Sequence, residues 1–274
     1  TAFWPFTADA RTTRISRTIR VGYIDYGGFI SRGEGGSCTG YGVDYLNAVA
    51  GYTGWQYEYI YDTWDNQLKN LQDGKIDCLC QAQKTPEREK DYLFSKYSVG
   101  SEANVLYARK DDDRFYFNDF ESFNGIKVAV LKNSYQNHEF EEYAKKKGFA
   151  CTYLTFDTTQ ECFQALQNKK VDGVAMGSLA LQNDCKIICR FGSDPFYFMT
   201  GQENQDLVDA MDDAIAQITA NNSTFSSDLY KKYYGSMEAS DLVLTREEAE
   251  YIRTAEPVTI GLIADRAPFS YINE

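Results

Sequence analysis

Two successive runs of alternating strand and helix predict an α/β protein built as two similar lobes. Residues 19–82 read β-α-β-α-β, and residues 125–177 read the same way again. The chain then returns to two helices over 204–235, as if to rejoin the first lobe. A length of 274 residues suits two lobes of ordinary size, and 43% hydrophobic residues are enough to fill their cores.

The elements follow in order. IRVGYI (19–24) reads as a buried strand, followed by a glycine-rich turn region. GVDYLNAVAGYTG (42–54) places Val43, Leu46 and Val49 on one helical face, and Gly51 or Gly54 ends it. WQYEYIY (55–61) alternates as a strand, WDNQLKNLQDGK (64–75) is a helix closed by Gly74, and IDCLCQA (76–82) is a strand. VLYARK (105–110) leads into an acidic, aromatic connection. The second series has strands at 125–131, 151–156 and 171–177, with helices at 135–148 and 159–170 between them. CKIICRF (185–191) and PFYFMT (195–200) are strand-like, and helices follow at 204–222 and 224–235.

The economical assembly has an irregular segment at 1–17, one lobe at 18–106 plus 196–235, and a second lobe at 107–195. Crossings near 106–110 and 191–197 make a hinge, with a cleft between the lobes. Thr245 and Glu248 stand at capping-box spacing in a linker helix within 236–257, which Pro257 stops. VTIGLIADRAPFSYI (258–272) partly repeats the opening IRVGYIDYGGFI, with Phe269 answering Phe29. This implies the start of a truncated second binding domain at 258–274.

A net charge of −12 argues against nucleic acid or an anionic membrane surface as partner. No apolar stretch approaches the length of a membrane span. Seven cysteines lack zinc-ligand spacing, and the single His138 has no partner histidine. Free thiols and no cofactor are therefore expected. Cys78 and Cys80, two apart in a strand, share a face and do not suit a mutual disulfide.

QLKNLQDGKIDCLCQAQKTPEREKDYLFS (67–95) resembles the signature of the amino-acid-type extracellular solute-binding proteins, family 3. IRVGYIDY, GYGVDYLNAVA and GIKVAVLKNSY resemble the same family in order and spacing, and the resemblance covers about residues 18–235. It implies a two-lobed, type II periplasmic-binding-protein (Venus flytrap) fold that holds a ligand between closing lobes. The helix-linked repeat is similar to tandem sensor modules of bacterial receptors.

The family's ligand-gripping arginine matches Arg88. Thr85 suits an N-cap and Pro86 a first helical position, so Arg88 falls in a first helical turn. There the dipole opposes a cation, which hints at a task such as forking onto a carboxylate. A surface ion pair with Glu87 or Glu89 is the alternative. Gln81, Ala82 and Gln83 match ligand-contacting positions at the carboxyl end of a strand, and equally suit a solvated turn. Asn133, Ser134 and Tyr135 sit where free helix amides favour an anion, and Asn133 or Ser134 equally suits a helix cap. Tyr26, Phe29 and Trp64 match aromatic ligand-wall positions, and Phe29 equally suits core packing. The family's α-amino-acid binders carry an acid after the strand VDGVAMG. Gly177 and Ser178 stand there instead, and Asp172 matches a structural acid. Asp25 and Asp194 remain as substitutes for the missing counter-charge.

The function implied is extracytoplasmic capture of an amino acid or related carboxylate by the sensor module of a membrane receptor. A free-standing component of an ABC transporter is the alternative. A dehydratase on the same scaffold needs a positioned acid or base, and His138 falls on a surface helix.

Overall fold

A computed structural model describes residues 17–180, 182–235 and 244–257, together with 259, 261, 265, 266, 270 and 271. The opening apolar run becomes β1 (Thr18–Tyr23), with Ile19 and Val21 fully buried. Two short strands, β2 (Ser31–Arg32) and β3 (Cys38–Thr39), pair across the glycine-rich segment. Helix α1 (Tyr41–Thr53) stops at Gly54, whose φ of 76° lets its N–H reach back to the Ala50 carbonyl. Gly51, the other candidate stop, lies inside the helix.

Next come β4 (Gln56–Tyr61) and α2 (Trp64–Gln72), where the Thr63 hydroxyl caps the helix by accepting from the Asn66 N–H. β5 (Cys78–Gln83) starts later than the expected Ile76, because Asp77 turns its carboxylate onto the Arg20 backbone and guanidinium. β6 (Tyr92–Phe94) is short and was not expected. β7 (Gly100–Arg109) begins well before the expected Val105.

The second series is β8 (Ile126–Leu131), α3 (Tyr135–Lys147), β9 (Cys151–Phe156), α4 (Thr159–Gln167) and β10 (Gly173–Gly177). Thr158 and Glu161 close a reciprocal capping box at the start of α4. The expected strands at 185–191 and 195–200 are one 17-residue strand, β11 (Cys185–Gly201). Gly192, Ser193 and Asp194, left between the two expected strands, pair with β7 at Asn104, Ala103 and Glu102. Helices α5 (Gln205–Asn221), α6 (Phe225–Tyr234) and α7 (Arg246–Thr254) follow, and Thr245 and Glu248 form the expected capping box. β12 (Asp265–Arg266) pairs with β13 (Ser270–Tyr271). The rest of the partial repeat, and the segment expected to be irregular up to residue 16, lie outside the described residues.

The strand order is β4-β1-β5-β11-β7-β10-β8-β9, with β6 added on β11. β1 is parallel to β4 and β5, and β8 is parallel to β9 and β10. Between these two parallel groups run β7 and β11, antiparallel to each other. At Phe196, β11 passes from β7 to β5: that residue pairs with both Gly100 and Gln83. The hydrogen-bonded path is thus continuous through both lobes, rather than one closed sheet per lobe with short links. Side chains alternate across β7. Val105 and Tyr107 join the core shared with α1, α4 and α5, whereas Leu106 and Ala108 join a second core with Phe140 and Ala144 of α3. Helices cover both faces, as parallel strands require.

Gln67 of α2 is fully buried, and its amide donates to the Tyr23 carbonyl (2.9 Å) and the Ile60 carbonyl (2.7 Å). It adds a side-chain tie between the ends of β1 and β4, where Tyr23 pairs with Tyr61 and the Tyr23 carbonyl also accepts from the Asp62 N–H (3.2 Å). Gln67→Met keeps the volume and removes both donations, while the Tyr23 carbonyl keeps the Asp62 N–H. It should lower stability by about 1–3 kcal/mol in urea unfolding, and an unchanged midpoint would contradict this bridging role.

Candidate functional site

The carboxyl ends of β1 and β5 face the start of α3 across a small cavity of about 50 Å³. That is room for a few water molecules, far below a drug-sized pocket, so the two halves stand nearly shut. Contacts across the gap agree. A Cβ built on Gly27 would lie 1.6 Å from the Leu179 carbonyl oxygen. The Trp64 indole N–H donates to the Asn133 carbonyl (3.1 Å), and Lys132 pairs with Asp65 (3.1 Å), whose carboxyl it holds below the usual range.

Eight of the twelve residues singled out from the sequence line this cavity: Tyr26, Phe29, Trp64, Gln81, Gln83, Arg88, Ser134 and Tyr135. Four do not. Ala82 is fully buried and pairs with Tyr197, on the opposite face of β5 from its two glutamine neighbours. Asn133, held at a φ of 55°, turns its side-chain amide onto Asp65 and offers only its carbonyl to Trp64 and Arg88. The Ser178 hydroxyl accepts from the Ala103 N–H (3.1 Å), and the Gly177 carbonyl accepts from the Tyr107 hydroxyl (3.0 Å). Ser134 stands at the N-cap of α3 without capping it, because its hydroxyl turns to Gln136.

Arg88 is half-buried. Its guanidinium donates to the Gln83 carbonyl (2.9 Å) and more weakly to the Asn133 carbonyl (3.4 Å), and it lies over the Trp64 ring at 5.2 Å. Among the described residues no carboxylate pairs with it. Burial lowers its pKa to about 10, so it stays charged at neutral pH. The Thr85 hydroxyl accepts from the Arg88 N–H as expected. However, the helix there is a single 3-10 turn, Arg88–Lys90, too short for the dipole argument.

Glu102 and Gln136 are the polar residues that sequence reasoning missed. Both are buried and line the cavity. Glu102 is 3% exposed and accepts from the Tyr26 hydroxyl (3.0 Å) and the Gln83 amide (3.2 Å), with Gln136 farther off at 3.5 Å. Desolvation pushes its carboxyl from 4.5 up to about 7 against those donors. Only the extension of β7 back to Gly100 brings it inside. Asp25 is exposed, and Asp194 accepts from Asn104 (2.5 Å); neither lines the cavity. Asp172 ties Arg114 (2.7 Å) to the Lys127 N–H (2.9 Å), a structural task. His138 is exposed on α3, and all seven cysteines are free. Among the described residues no cluster suits a metal ion, and no helix is long and apolar enough to cross a membrane.

A carboxyl raised in the folded state favours folding below its unfolded value of 4.5 and loses that advantage as pH rises to about 7. Glu102→Gln, neutral throughout, should match the parent near pH 4.5 and exceed it by roughly 3 kcal/mol above pH 7. Thermal unfolding across that range checks this; a constant gap would mean that Glu102 titrates normally.

Comparisons with known proteins identify relatives of the chain and of its fold. The L-cystine-binding protein TcyJ of Escherichia coli is 24% identical over 220 residues, which cover 77% of this chain and 80% of that protein. An ancestral arginine-binding protein bound to glutamine matches with a TM-score of 0.67 and 26% identity, over 80% of this chain and 98% of its own. An ancestral amino acid-binding protein, AncCDT-1, described as a precursor of cyclohexadienyl dehydratase, matches with a TM-score of 0.66 and 26% identity, over 79% and 94%. The family model for bacterial extracellular solute-binding proteins, family 3, matches residues 19–236. With that match spanning most of its length, the chain belongs to the bacterial extracellular solute-binding proteins, family 3.

Proposed function

We propose that the chain captures an amino acid or a related small carboxylate, outside the cytoplasm, in the cleft between lobes 18–106 plus 196–235 and 107–195. The observation that carries this reading is Arg88. It is a charged, half-buried guanidinium at the cleft, stacked on Trp64 and given only carbonyl oxygens by the protein. Two carbonyls do not neutralise a cation, and a carboxylate matches the guanidinium fork. The start of α3, which no side chain caps, lines the cavity with Ser134 and Tyr135 and turns the positive end of a helix toward the same anion. The named relatives that bind cystine, arginine or glutamine point to the same ligand class.

The capped helix α7, followed by the partial repeat, supports a sensor module of a membrane receptor. α7 is seated on the second lobe by Arg246–Asp119 (2.5 Å) and by the Phe117 N–H on the Leu244 carbonyl (3.0 Å). Lobe closure moves such a helix only as far as the ligand's preference for the closed state allows. Similarity to TcyJ favours the second reading, a free-standing binding component of a transporter. A dehydratase is favoured by one feature, the raised carboxyl of Glu102 at a cleft, beside the likeness to AncCDT-1.

A thermal-shift screen of L-amino acids should find at least one that raises the melting temperature. Calorimetry of that amino acid with Arg88→Ala should show affinity at least about a hundredfold weaker, the cost of a charge-assisted fork. Unchanged affinity would remove Arg88 from the site, and turnover of prephenate would replace binding with catalysis.

A further inference from the structure

Among the described residues that line the cavity, Glu102 is the one acidic group, and no cation of the protein pairs with it. Its donors are the Tyr26 phenol, the Gln83 and Gln136 side-chain amides and the Leu179 backbone N–H, all neutral. Among the described residues no lysine or arginine pairs with it. Behind it, Arg190 and Lys231 line a hinge-side groove that Glu102 also borders, and neither forms an ion pair with it. The other titratable groups close to it are the Tyr26, Tyr107 and Tyr234 phenols, which burial raises and keeps neutral, and Asp194, whose charge further disfavours ionisation. A buried carboxylate with neutral donors alone is costly, and a cation from the ligand relieves that cost.

The position explains why sequence reasoning placed no acid here. A Cβ built on Gly177 would meet the Glu102 Oε2 at 2.0 Å and the Tyr26 hydroxyl oxygen at 2.2 Å. The carboxylate occupies the volume that a side chain at 177 would fill. Any residue larger than glycine there would displace it.

We propose that Glu102, delivered from β7 into the space left by Gly177, is the counter-charge for a protonated amine on the ligand. The proposal rests on the carboxylate reading of Arg88 and narrows the ligand class to zwitterions carrying a free amine. Tyr26, Gln83 and Gln136 act as positioning residues that hold the carboxylate toward the cleft. Lowering the pH should weaken binding, because a protonated Glu102 no longer attracts an ammonium.

The test is calorimetry with the twenty L-amino acids and L-cystine, then with the 2-hydroxy acid that matches the best of the twenty. The hydroxy acid keeps size and carboxylate but replaces the ammonium with a neutral hydroxyl. The parent should prefer the amino acid by at least about a hundredfold. Glu102→Gln should shrink that preference to under about tenfold, and Glu102→Asp should keep part of it. Affinity of the parent for the amino acid should fall roughly tenfold between pH 8 and pH 6, and that of Glu102→Gln should stay flat. Should Glu102→Gln not fold, the parent's preference and pH course decide alone. Arg88→Ala separates the two claims. If it abolishes binding while Glu102→Gln keeps the full preference, or if the parent takes both analogues equally, the counter-charge assignment is wrong and the carboxylate reading survives. If the parent binds none of the panel, both fall.

Discussion

Everything in this molecule hangs on the antiparallel pairing of β7 and β11. These two strands run between two groups of parallel strands, and the hydrogen-bonded path from one group to the other passes through them. Their pairing is interrupted by register shifts between Ile187 and Cys189 and between Arg190 and Gly192. Such irregularities twist and bend a ribbon without breaking it, which suits a hinge. Because β7 and β11 are shared by both lobes, they also set where the parallel strands end. The carboxyl ends of β1 and β5 therefore face the start of α3, the geometry in which open α/β sheets place ligands.

The same constraint organises the charges. Arg88 enters from the turn after β5, and Glu102 from β7 itself. Each is desolvated and each lacks an opposite charge from the protein. In a cleft from which water is largely excluded, two such groups are more costly apart than in solvent, and more selective toward a ligand that satisfies both. The clasp of Trp64, Asp65, Lys132 and Asn133 then seals one rim and touches Arg88 through the Trp64 ring and the Asn133 carbonyl without supplying it a counter-charge.

Much of the fold was legible because its parallel strands and amphipathic helices each follow one period. Thr245 caps its helix as its spacing with Glu248 implies. Legibility failed at the hinge. Gly192, Ser193 and Asp194 interrupt the apolar pattern, but pairing with β7 continues through them, so one long strand read as two. Tyr26, Trp64, Gln83 and Arg88 line the cavity, and each stands beside a recognisable strand end. Ala82 was misplaced by strand alternation, and Asn133 because its side chain serves the rim. Glu102 carried no local signal. It lies in GSEANVL, before the apolar run that marked the strand, and its meaning depends on a glycine seventy-five residues later in the chain.

A crystal structure of the protein with its best-binding amino acid tests the central claim most directly. The account predicts the ligand enclosed between the lobes, its carboxylate on the Arg88 guanidinium and its body against Trp64 and Tyr26. A ligand bound outside the cleft, or one that leaves Arg88 on its two carbonyls alone, would contradict it.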